Sequence, residues 1–83
     1  MANKYMFNEI MRNKSEVKGS LILAIDNMAK YCKDIKLLTN EKNDVFYQVE
    51  TKHLIDADEN ELLKLNQSGW VLSDDTNFLE FYV

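Results

Sequence analysis

Apolar positions along this chain switch between two spacings, and the switches read as helix, hairpin, helix, hairpin. Between residues 15 and 32, Val17, Leu21, Ile25, Met28 and Cys32 recur at intervals of four, four, three and four, the period of one helical face. Ile22, Ala24 and Ala29 widen this stripe, so the helix is expected to lie flat on a sheet with Lys18, Asp26, Asn27 and Lys30 toward water. Ser15 is the expected N-cap, and Gly19 weakens the first turns by about 1 kcal/mol relative to alanine. From Asp34 the spacing falls to two. Ile35 and Leu37 share a face, as do Val45, Tyr47 and Val49. Pairing Leu37 with Tyr47 leaves residues 40–44 as a polar loop of hairpin length.

The pattern then returns. Asp58 with Glu61 three residues on makes a capping box for a helix over residues 58–67, and Leu62, Leu63 and Leu65 supply its buried side. Gly69 is placed to end it in a left-handed conformation. In the hairpin of residues 70–73 and 78–83, pairing Leu72 with Leu79 also pairs Trp70 with Phe81. Every large apolar residue of that set then shares one side, and a slip of one residue would turn them all outward. Asp74 and Asn77 bound a turn of residues that bond back to their own backbone. Ahead of both repeats, Met6, Phe7, Ile10 and Met11 mark one face of a short helix with Asn3 as its cap. The expected fold is α+β: a single small domain, residues 1–83, with a four-stranded, mostly antiparallel sheet. Residues 15–83 form an αββαββ core with both capped helices on one sheet face, and residues 1–13 an extra, peripheral N-terminal helix.

Composition agrees with a folded protein: 46% hydrophobic, 29% charged, two glycines and no proline. A chain of this size buries roughly 60 to 65% of its unfolded surface, leaving little room for a deep pocket. The longest apolar run, residues 21–25, falls far short of the ~20 residues that span a bilayer, and no signal segment opens the sequence, so a cytoplasmic location without a membrane partner is expected. Cys32 has no second cysteine to pair with, which fits a reducing compartment, and its place on the helical stripe predicts a buried, inert thiol. Nine lysines against one arginine, with nine asparagines, are the bias of AT-rich coding DNA and suggest a viral, phage or mobile-element origin.

Candidate chemistry is sparse. Asp56, Asp58 and Asn60 match the first three ligand positions of a calcium loop, but Glu61 stands where the sharp turn needs glycine and Gln67 where a bidentate carboxylate is needed. The string Leu54-Ile55-Asp56-Ala57-Asp58 resembles the LAGLIDADG homing endonucleases, whose core has the αββαββ order expected here. That resemblance covers five residues, lacks both motif glycines and precedes its helix, so no metal-dependent nuclease role carries over. His53 has only Asp56 nearby as a partner for general base work. The sequence has no glycine-rich phosphate loop, paired-cysteine metal site or nucleophile elbow. The expectation is therefore no enzyme, no catalytic residue, no metal and no cofactor.

Charge and strand parity say more. Residues 1–38 carry a balance of +3 and residues 39–83 one of −7, a polarity that can steer association. The acids Asp56, Asp58, Glu59 and Glu61 crowd the positive end of a helix dipole. If Trp70, Leu72, Leu79, Phe81 and Val83 face the core, then Val71, Phe78 and Tyr82 project from the other sheet face around Ser73 and Glu80. That face is either an aromatic binding surface or covered by the N-terminal helix. The expected function is a small non-enzymatic protein-binding or regulatory module, with Val71, Phe78 and Tyr82 as contacts and Glu59 and Glu61 as steering charges. The alternatives are a homo-oligomeric structural protein, or a nucleic-acid-associated factor using Lys14, Lys18, Lys30, Lys33 and Lys36. Net negative charge and a lone arginine disfavour the last.

Overall fold

The computed structural model describes residues 4–13 and 20–83. In chain order these form α1 (Lys4–Arg12), α2 (Leu21–Ala29), β1 (Lys36–Thr39), β2 (Val45–Glu50), a 3-10 turn (Thr51–Leu54), α3 (Glu59–Ser68), β3 (Val71–Leu72) and β4 (Phe78–Tyr82). The fold is α+β. Its single four-stranded sheet runs β1-β2-β4-β3, and every neighbouring pair is antiparallel. Leu37 pairs with Tyr47 and Leu72 with Leu79, as the apolar spacing predicts. The two hairpins meet through β2 and β4, where Val49 faces Leu79 and Tyr47 faces Phe81.

Local chemistry fixes the ends of these elements. Asp58 Oδ1 accepts from the Glu61 N–H at 2.8 Å, which caps α3, and Gly69 ends it at φ 122°. In the first hairpin Asn40 Oδ1 accepts from the N–H groups of Lys42 at 2.9 Å and Asp44 at 3.0 Å. In the second, Asp75 Oδ1 accepts from Ser73 Oγ at 2.6 Å and from the Asn77 N–H at 3.0 Å. These donors hold the Asp75 carboxyl below its ordinary pKa, the Ser73 hydroxyl contributing most. Thr76 sits at φ 63°, an unusual place for a β-branched residue. Its carbonyl accepts from Thr51 Oγ1 at 3.3 Å, which ties the turn to the end of β2.

The core lies between the sheet and the helices. Met11, Ala24, Met28, Leu62 and Leu65 meet Val49, Trp70, Leu72, Leu79 and Phe81, and full burial of such side chains contributes roughly 1.5–3 kcal/mol each. Trp70 is fully buried. Its indole N–H donates to the Ala24 carbonyl at 3.0 Å, and its ring lies 5.7 Å from that of Phe81. Helix α1 is part of this core rather than an outlying element, because Met11 is fully buried and Phe7 and Ile10 pack against the cluster. Buried Asn66 holds it there: its amide donates to the carbonyls of Asn13 at 2.7 Å and Trp70 at 3.0 Å.

The helical stripe of α2 is realised only in part. Ala24, Met28 and Cys32 are buried, whereas Ile22 of the stripe is 73% exposed, like Leu23 beside it at 58%, which the stripe does not include. Those two are rotated well away from the Ala24 and Met28 face that meets Trp70 and α3. Leu21 lies nearer that face but in the first turn, where it stays 37% exposed. Ser15, Val17 and Gly19, together with the cap Asn3, lie outside the described residues.

Candidate binding face

Side chains alternate across a strand, so the burial of Tyr47, Val49, Leu72, Leu79 and Phe81 against the helices assigns the opposite set to the other face. The strand register arranges that set in rungs. Leu38, Phe46 and Tyr82 lie side by side, next to Lys36, Gln48, Glu80 and Val71, and then Glu50 beside Phe78. None of these residues belongs to the core cluster. The face is not covered by α1, whose Phe7, Ile10 and Met11 pack into the core on the opposite side. Val71, Phe78 and Tyr82 thus share a sheet face on which no helix of the described residues packs.

Two aromatic residues dominate it. Phe46 is only 7% exposed, packed beneath Tyr82 with ring centroids 5.2 Å apart and an interplanar angle of 32°. The Tyr82 hydroxyl donates to Glu80 Oε1 at 3.2 Å. Burial and then the negative charge of Glu80, followed by Asp44 and Asp74, push the Tyr82 phenol above its usual pKa. A shallow cleft of about 690 Å³ runs here, lined by Val71, Ser73, Asp74, Glu80 and Tyr82 and by the turn residues Glu41, Lys42 and Asp44. Four carboxylates and one lysine therefore line the cleft together with Val71 and Tyr82. At the far rung Glu50 bonds Lys52 at 3.1 Å, which lowers the Glu50 pKa.

Glu59 and Glu61 stand elsewhere. Both lie in the first turn of α3, and Glu61 lines a separate cleft of about 230 Å³ with Asn27, Lys30, Tyr31 and Lys64. They belong to the helical layer, so the acids beside Val71 and Tyr82 are Glu41, Asp44, Asp74 and Glu80 instead. Phe46 and Leu38 complete the apolar row and went unassigned in the sequence. The signal for them was available, since pairing Leu37 with Tyr47 also pairs Leu38 with Phe46.

The other candidates are dispersed. His53 and Asp56 are exposed on the segment before α3, and Lys30, Lys33 and Lys36 are exposed while Lys14 and Lys18 lie outside the described residues. Cys32 is buried, with its thiol donating to the Asp34 carbonyl at 3.6 Å. Among the described residues no group of three His, Cys, Asp or Glu converges as a metal ion would require. No helix among them is long and apolar enough to cross a membrane. No family model, curated protein or solved structure matches the chain.

Proposed function

We propose that this protein is a non-enzymatic binding module that recognises a basic segment of another protein on its helix-free sheet face. The observation that carries this reading is the juxtaposition of Tyr82 and Val71 with the carboxylates of Asp44, Asp74 and Glu80 around one cleft, Tyr82 being backed by Phe46. Aromatic groups at the centre of a desolvated patch set the lifetime of a complex, while surrounding charge of one sign accelerates encounter with a partner of the opposite sign. A lysine or arginine side chain suits both, because its stem packs on the apolar floor as its head reaches a carboxylate. A regulatory role follows naturally for a small module of this kind, whose output is occupancy of a partner.

Selection of random peptides on the immobilised protein tests the reading. Peptides rich in lysine or arginine should be enriched, and their binding should weaken with salt. Tyr82→Ala and Phe78→Ala should speed dissociation, and Glu80→Lys should slow association. Selected peptides that are acidic, or that bind all three variants like the parent, would place the interface elsewhere.

A further inference from the structure

Among the described residues strand β1 forms one edge of the sheet, and all four of its residues are exposed. Leu37 and Leu38 point to opposite faces and are 57% and 37% exposed, with Val45, Tyr82 and Val83 exposed at the same corner. Edges of this kind are usually blunted by proline, a bulge or charge. Here the β1 register is continuous, proline is absent and Lys36 is the only charge. The Asn40 N–H donates to the Asp44 carbonyl, so the two-residue alternation turns the main-chain groups of Lys36 and Leu38 toward β2 as well. Leu37 and Thr39 are left with N–H and C=O groups facing outward.

We propose that β1 pairs antiparallel with β1 of a second copy of this chain, about a two-fold axis through Leu38, to form one continuous eight-stranded sheet. A two-fold axis normal to the sheet preserves each face, so some residue must meet its own copy. With Leu38 at the centre, Leu37 of each copy faces Thr39 of the other and the outward N–H and C=O groups satisfy one another. Leu38 meets its image at a non-hydrogen-bonded position, where side chains approach closest. The row of Tyr82, Phe46 and Leu38 then continues across the axis. Centring on Leu37 would set each Leu38 against Lys36. Charge agrees with the Leu38 register: Lys36 comes beside Asn40 and Asp44 of the other copy, and Asp34 comes beside Lys42. This inference is independent of the proposed partner, since it is tested without one.

A strand this short makes a small contact, so association is measured by sedimentation from roughly 10 µM to 1 mM. The mass should rise from 9.8 kDa toward that of a dimer, and Lys36→Glu should weaken the association about tenfold, equivalent to ~1.4 kcal/mol. In a Cys32→Ala background, Leu38→Cys should form a disulfide dimer faster than Leu37→Cys or the turn control Asn43→Cys. A constant monomer mass across that range overturns the dimer. Equal crosslinking rates, or fastest crosslinking at position 37, overturn the register.

Discussion

Replacing Gly69 by alanine tests the corner on which the core is built. Gly69 sits at φ 122°, and a Cβ added there would stand 2.5 Å from Phe81 Cε2 and 3.0 Å from Cδ2. Phe81 is 4% exposed and backed by the fully buried Trp70, so its ring has no free path of retreat. A positive φ costs a residue with a Cβ roughly 1–3 kcal/mol, and overpacking of a filled core typically costs a further ~1–3 kcal/mol. Reduced entropy of the unfolded chain offsets about 0.4–1 kcal/mol of this. The net loss should be about 1–5 kcal/mol, a large part of the ~5–15 kcal/mol that holds such domains together. Urea unfolding followed by far-ultraviolet circular dichroism measures it directly. Repeating the substitution in a Phe81→Leu background separates the two causes, because removing the ring relieves the steric part and leaves the backbone part. A Gly69→Ala protein within ~0.5 kcal/mol of the parent, the scatter of a neutral surface change, would refute the described geometry.

Asp58→Ala should cost about 1 kcal/mol by removing the α3 cap, while millimolar calcium should leave the melting temperature of the parent unchanged; a rise with calcium would mean a native-state site. Asn66→Ala should cost roughly 1–3 kcal/mol through its two lost hydrogen bonds, and Asn66→Leu should not restore it; full stability of the leucine variant in urea unfolding would show the amide to be dispensable. Tyr82 carries a pH signature. Its phenol is raised above the usual 10.0 by burial and by the carboxylates around it, so the native state holds that proton more tightly than the unfolded chain. This contribution is intact below about pH 10 and is lost as pH rises through the native value. Tyr82→Phe should lessen the alkaline loss of stability, and an unchanged unfolding profile above that pH would contradict the assignment.

Within each hairpin the sequence was sufficient, because register there depends on neighbours a few residues apart. Leu72 opposite Leu79 and Trp70 beside Phe81 are the one arrangement that buries these four together, although Val83, expected on the same side, lies past the end of β4 and is 64% exposed. What joins the hairpins was not legible. The pairing of β2 with β4 brings Val49 to Leu79 across a long separation in the chain, and no local spacing encodes it. The fate of α1 was hidden for a related reason: its apolar face would fit either side of the sheet, and the buried Asn66 amide that draws Asn13 to the core resembles any other polar residue on a helix. The α2 stripe misleads because Ile22 satisfies a spacing rule without a neighbouring element to cover it.

Strand parity placed Val71, Phe78 and Tyr82 on one sheet face, whereas net charge could not place the acids that accompany them. A count of carboxylates is a property of the chain, and their field depends on which turns the sheet brings together. Asp44 and Asp74 come from turns of different hairpins, yet both act on Tyr82. Phe46 adds a physical consequence. Because it is already withdrawn from water beneath Tyr82, a partner of the proposed kind would meet an ordered side chain there and would need to immobilise little more. Tyr82 and Leu38 are still partly exposed, so the gain from such a partner would lie in covering them. Leu38 is also the residue on the proposed two-fold axis at the β1 edge, so a partner on the face and a second copy at the edge would meet at the same side chain. Substitution of Leu38 should therefore affect both associations, whereas substitution of Phe78, on the far rung, should affect only the first.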